Sequence, residues 1–158
     1  MEMKIDIDNM RLDIKKMAHA YVAQEHAYEE SVKSGDTAGM EEAIDCRSAI
    51  AEWARNHDDM FNRVFCDLVQ SYRAGGNVLA VVEPLHSNKD SKAYLHSLKE
   101  NNIEEFAFAS MYSAALATAW AYQETGLCRM IGFGEFAKTY DIVSETYASV
   151  PALVFKVF

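Results

Sequence analysis

Residues 40 to 72 carry a side-chain pattern with the period of an α-helix. The positions at this spacing are Met40, Ile44, Arg47, Ala51, Ala54, Phe61, Phe65, Leu68 and Tyr72. Side chains spaced by three or four residues lie along one side of a helix. One helix of this length is uncommon, and the segment from Asn56 to Asp59 has the residues of a helix N-terminus. We therefore expect a kink or break there.

A second helical pattern precedes this element. It consists of Met10, Ile14, Met17, Tyr21 and Tyr28. The segment Ser34-Gly35-Asp36-Thr37 follows, in which Gly35 suits a left-handed helix end and the polar residues suit the cap of the next helix. Since a loop of about four residues joins the two patterns, we expect a long N-terminal helical hairpin.

The second half of the chain is interrupted by glycines at positions 75 and 76 and by Pro84. Residues 78–82 between them are too few for the period to distinguish helix from strand. We expect a modest helix at about residues 91–100 and a buried, central, Ala-rich helix over residues 103–125. The spacing of Phe136, Tyr140, Val143 and Tyr147 predicts a last helix.

The two ends of the chain have strand-like patterns. Residues 1–8 alternate between apolar and charged side chains, and residues 153–158 are β-branched and aromatic, so the two segments could pair as a small sheet. The predicted fold class is mainly α: a compact bundle of five to seven helices with the long hairpin, in a single domain over residues 1–158.

Charge and cysteine content restrict the class of protein. The net charge is −9, and residues 1–59 hold 14 acids against 7 bases. Nucleic acids and anionic membranes are bound by clustered Lys and Arg, which this chain lacks, so we expect neither as a direct partner. A secretory signal needs a basic stretch where this N-terminus carries acids, and three cysteines without a CxxC pair suit reduced thiols. These features predict a cytoplasmic protein.

Motifs for catalysis or cofactor binding are weak. The one Glu-x-x-His spacing, from Glu83 to His86, contains Pro84, which argues against the helix that a di-metal site needs. His19, His26 and Glu30 share one side of the first helix and are weak metal candidates, although a polar flank explains them as well. Neither a nucleophile elbow nor a phosphate-binding loop is present. We expect no catalytic residues and no cofactor.

The acidic surface of the N-terminal helices is the remaining functional signal. We expect a non-catalytic inhibitor, of the type found in phages and mobile elements, that masks a basic surface of a nucleic-acid-processing partner. The expected partner-binding residues are Glu25, Glu29, Glu41, Asp45, Glu52, Asp59 and Trp53.

Three alternatives stay open at this point. The acids could serve solubility alone. The chain could be a small helical enzyme or a ligand or metal carrier, with a pocket between helices that includes His19, His26 or His57. It could also be a self-assembling scaffold or homodimer in which the 40–72 pattern packs against its own copy.

Overall fold

The computed structural model describes residues 13–76, 78–81, 83–141 and 146–158, with the backbone alone for 138–141 and 146–148. In this part of the chain the helices are α1 (Ile14–Ser34), α2 (Thr37–His57), α3 (Asp59–Arg73), α4 (Asn88–Glu100) and α5 (Ala115–Glu124). The strands are β1 (Leu79–Ala80), β2 (Glu105–Ala109), β3 (Cys128–Asp141) and β4 (Thr146–Val157). The protein is thus mostly helical with a small four-stranded sheet. It divides into two compact units, Met1–Val69 and Gln70–Phe158.

Local capping interactions set the ends of the first two helices. The Asp13 carboxylate accepts a hydrogen bond from the Lys16 backbone N–H at the start of α1. Gly35 ends the helix in the left-handed conformation, with a φ of 71°, and Asp36 then accepts from the Gly39 N–H at 3.0 Å to begin α2. The predicted turn at these residues is therefore confirmed.

Asp58 separates α2 from α3. Its backbone is extended, with φ −168° and ψ 139°, which interrupts the helical hydrogen bonds. Its carboxylate accepts from the Met60 N–H at 2.9 Å and its carbonyl accepts from the Asn62 N–H, so Asp58 also caps α3. The break that the sequence predicts in the 40–72 element lies at this residue.

The core of the first unit is formed by one side of each helix. Its buried apolar members among the described residues are Ile14, Met17, Ala18, Val22, Ala43, Ile50, Ala54, Phe61, Val64, Phe65, Leu68 and Val69. Helices α1 and α2 pack against each other, and the Tyr21 ring of α1 meets the Phe65 ring of α3 edge-on at 5.8 Å between centroids. Burial of these apolar sides is the main free-energy term that holds short helices together in water.

The second unit is built on a sheet with the strand order β1-β2-β4-β3. β1 is parallel to β2, while β4 is antiparallel to both of its neighbours. The aromatic rings of Phe106, Phe108 and Phe155 stack on one face of this sheet at about 5 Å between centroids, and Tyr122 of α5 covers them. All four side chains are fully buried.

The predicted central helix over residues 103–125 is wrong. Its first part is the strand β2, and only residues 115–124 are helical. β2 lies between β1 and β4 with Phe106, Ala107 and Phe108 all buried, so its sequence is apolar on both faces. A strand buried on both faces has the same apolar pattern as a buried helix, which explains the error.

The predicted helix around residues 136–147 is also wrong, because this segment belongs to the hairpin of β3 and β4. The prediction relied on residues at helical spacing such as Phe136, but aromatic residues are also strong strand formers. Gly134 lies within β3, where an added Cβ would come within 3.0 Å of the Val154 side chain. Pro151 lies inside β4.

Other predictions are resolved in the described residues. The segment 78–82 contains the strand β1, the helix near residues 91–100 begins at Asn88, and residues 153–157 belong to a strand. The neighbours of β4 are β2 and β3. The predicted N-terminal strand, residues 1–8, lies outside the described residues. None of the described helices combines the length and apolar content that crossing a membrane requires.

Candidate binding surfaces

Three of the predicted binding acids form a row on the outside of α2. Glu41, Asp45 and Glu52 are exposed and follow one another by four and seven residues. A rise of about 1.5 Å per residue separates them by about 6 and 10 Å along the helix axis. At about 100° per residue, they lie opposite the buried side of α2. That buried side consists of Ala43, Ile50 and Ala54.

The predicted binding acids of α1 do not belong to this row. Glu25 and Glu29 are half-buried, and their positions continue the side of α1 that buries Ala18 and Val22. The adjoining interior of the helix pair holds the half-buried Arg47, whose guanidinium lies over the Tyr28 ring at 5.2 Å. The acidic row on α2 therefore does not extend across α1.

Asp59 and Trp53 lie on either side of the break between α2 and α3. Asp59 is exposed in the first turn of α3, where a carboxylate is favoured by the helix dipole. Trp53 is half-buried: its ring stacks on His57 at 4.6 Å and meets the Phe61 ring edge-on. Because this cluster already holds Trp53, the side chain offers a partner only part of its surface.

The candidate metal ligands are exposed residues of α1. His19, His26 and Glu30 share one side of the helix, as the sequence indicates. Within the described residues, no three His, Cys, Asp or Glu side chains are grouped closely enough to hold a metal ion.

The three cysteines lie in different surroundings. Cys66 is exposed, Cys46 is half-buried and Cys128 is buried at the start of β3. Burial raises the pKa of the Cys128 thiol to about 12, because an apolar environment disfavours the thiolate. The Cys128 thiol is therefore protonated and unreactive at neutral pH.

A surface that the sequence did not reveal lies on the outer side of α5. Leu116 and Trp120 are 72% and 66% exposed, one helical turn apart, and Met111 just before the helix is 79% exposed. The opposite side of α5 is buried through Ala115, Thr118, Ala119 and Tyr122. Since both sides of this helix are apolar, no periodicity distinguished the inner side from the outer one.

The strand β3 borders this side of α5. The Met130 backbone N–H donates to the Gln123 side chain at 3.0 Å, and Gln123 follows Trp120 by three residues and Leu116 by seven. α5 and β3 are in contact, and a short turn joins the end of the helix to the start of the strand. Phe133 pairs with Leu153 and Met130 pairs with Phe155, so the bulge between Met130 and Gly132 leaves Phe133 only about 7 Å from Met130 along the strand.

Phe133 is 78% exposed and Ile131 is 46% exposed. We group these two residues with the three exposed apolar residues on and before α5, and we call the set the α5–β3 face. Its members are Met111, Leu116, Trp120, Ile131 and Phe133.

Comparison with known proteins identifies a family for this chain. Residues 65–157 match a family model described as Domain of unknown function (DUF7698). No curated protein and no solved structure matches the chain. The matched residues include all four strands, α4, α5 and the α5–β3 face, whereas the acidic row of α2 precedes them. Because the match covers more than half of its length, the chain belongs to the DUF7698 family.

Proposed function

We propose that this protein is a non-catalytic binding module that uses the acidic row of α2 to mask a basic surface on a partner protein. The observation that carries the proposal is the alignment of Glu41, Asp45 and Glu52 on the exposed side of α2. In this proposal α1 and α2 form a long helical hairpin, so the three carboxylates lie on a helix that is held in place by its packing against a neighbouring helix. Groups that are already ordered lose little entropy on binding.

The partner in this proposal is a nucleic-acid-processing protein with a Lys- and Arg-rich channel. Such a channel binds the phosphate groups of a nucleic acid strand. A row of carboxylates on a helix could occupy the same channel, because it also carries regularly spaced negative charges. Long-range attraction between the two surfaces would accelerate association and would weaken as salt is added. Small acidic inhibitors of phages and mobile elements are the functional analogy.

An apolar contact next to the row would add affinity. Ile44 is 43% exposed, and as the third residue after Glu41 it is a neighbour of Glu41 on the helix surface. Its position is better suited to this role than that of Trp53, which is packed against His57 and Phe61. We therefore assign the anchoring contact to Ile44 and a supporting role to Trp53.

The test compares two variants that have equal charge. The first is E41Q/D45N/E52Q, which removes the row, and the second is E100Q/E104Q/E105Q, which removes three exposed acids of the second unit. Each variant makes the net charge of −9 less negative by three. The wild type is used to capture its partner from the native host, and the affinity of that partner is then measured for all three proteins at several salt concentrations.

The two variants should differ clearly. Exposed ion pairs contribute about 0.2–1 kcal/mol each, so loss of three pairs should weaken binding by about tenfold and reduce its salt dependence. The control variant should bind like the wild type. Equal weakening by both variants would mean that only the total charge matters, and unchanged binding by the α2 variant would reject the proposed surface.

A further inference from the structure

We infer that the α5–β3 face is the contact surface of a homodimer in which α5 packs antiparallel against α5 of a second copy. The inference concerns the second unit and uses none of the residues of the acidic row. It begins with the size of the exposed apolar surface.

The α5–β3 face has the area that a specific dimer needs. Its five side chains are on average about two thirds exposed, from 46% for Ile131 to 79% for Met111. At about 200 Å² for each large apolar side chain, they leave roughly 700 Å² in contact with water. The largest apolar patch on a typical monomer is about 300–600 Å², and a standard specific interface buries about 800 Å² on each partner.

The arrangement of side chains on α5 is complementary to itself. Leu116 and Trp120 alternate with the exposed small residues Ala117 and Ala121. A two-fold axis at the level of Thr118 and Ala119 would place Leu116 against Ala121 of the partner subunit and Trp120 against Ala117 of the partner subunit. Large side chains would then meet small ones at every position, and the same patch would serve both copies.

The distribution of charged residues around α5 favours the same arrangement. Between Met111 and Gln123 there is no charged residue, so two copies can approach there despite the net charge of −9. Ala114 at the start of the helix makes no side-chain capping bond, and Glu124 is the acid at its other end. The two-fold axis would bring Glu124 of each copy to the uncapped α5 N-terminus of the other, where N–H groups and the helix dipole favour a carboxylate.

Trp120 supplies a direct probe of this contact. Its indole N–H donates to Glu124 of the same helix at 2.6 Å, so the ring is held on the outer side of α5. In a Trp53→Phe variant, Trp120 is the only tryptophan. Its fluorescence maximum should move to shorter wavelength as the protein concentration rises and the ring becomes buried in the dimer.

The experiment is sedimentation velocity over a range of concentrations, with A117E as the disrupting variant and A27E as its control. Both alanines are exposed on helices, and Ala27 lies on α1. A117E introduces a carboxylate against Trp120 of the partner subunit on both sides of the axis, so we expect dimer dissociation to be favoured about a hundredfold or more. A27E should dimerise like the wild type.

Three results would overturn the inference. The first is a wild-type protein that stays monomeric at about 100 µM, a concentration at which micromolar association is complete. The second is a dimer that survives A117E with unshifted Trp120 fluorescence, which would place the contact elsewhere, as in the helical element of residues 40–72. The third is a monomer whose α5–β3 face binds a different protein.

Discussion

Replacing Phe155 by alanine should remove much of the stability of the second unit. Phe155 is fully buried at the centre of the aromatic cluster, with its ring 5.0 Å from Phe106, 4.9 Å from Phe108 and 6.3 Å from Tyr122. Truncating a buried Phe to Ala costs about 3–5 kcal/mol through lost burial and the cavity that remains. The three ring contacts on neighbouring elements argue for the upper half of that range, about 4–5 kcal/mol.

The assay is equilibrium unfolding in urea, followed by circular dichroism at a protein concentration low enough to keep the chain monomeric. Phe158→Ala is the matched control, since the same side chain, three residues later, is 55% exposed. We expect the control to lose less than about 1 kcal/mol. Native domains are stable by about 5–15 kcal/mol, so the Phe155 variant should show a large decrease in its unfolding midpoint. Equal shifts for the two variants would refute the assignment of Phe155 to the core.

Two further predictions concern Cys128 and Gly35. Burial raises the pKa of the Cys128 thiol to about 12, so between about pH 9 and pH 12 the folded protein keeps the thiol proton while the unfolded chain releases it. The free energy of unfolding should therefore fall as the pH rises from about 9 towards 12. This fall should be smaller in the Cys128→Ala variant. A thiol reagent at pH 8 should accordingly modify exposed Cys66 in the folded protein and leave Cys128 unmodified, whereas rapid modification of Cys128 would contradict its burial. Gly35 has a φ of 71°, and an added Cβ would have nothing within 4 Å. Gly35→Ala should therefore destabilise the protein by about 1–2 kcal/mol through backbone strain alone, and Gly35→Asn should destabilise it by less. Equal losses for the two variants in thermal unfolding would argue against the left-handed conformation.

The candidate surfaces were only partly predictable. The positions of Glu41, Asp45 and Glu52 on one side of α2 follow from helical spacing. Spacing also placed Glu25 and Glu29 in that surface, because it does not show which side of α1 meets the neighbouring helix. The α5–β3 face could not be predicted, since a helix that is apolar all round has no periodicity to indicate its exposed side.

Local interactions made several elements of the fold readable from the sequence. Gly35 and Asp36 end one helix and begin the next through backbone conformation and capping bonds that involve residues within five positions. The break at Asp58 depends in the same way on the Met60 and Asn62 N–H groups. Such features are encoded where they occur, so the turn at Gly35 and the break near Asp58 could be predicted from nearby residues.

The tertiary structure alone decided the second unit. Phe106 and Phe155 are far apart in the chain, and their segments are strands because each supplies the other's hydrogen bonds and stacks its ring on the other. Apolar residues such as these suit a buried helix and a buried strand equally, and the free-energy difference comes from pairing partners that a local pattern does not contain. The sequence by itself therefore determined where the chain must be buried, whereas long-range pairing determined its secondary structure there and left one side of α5 exposed.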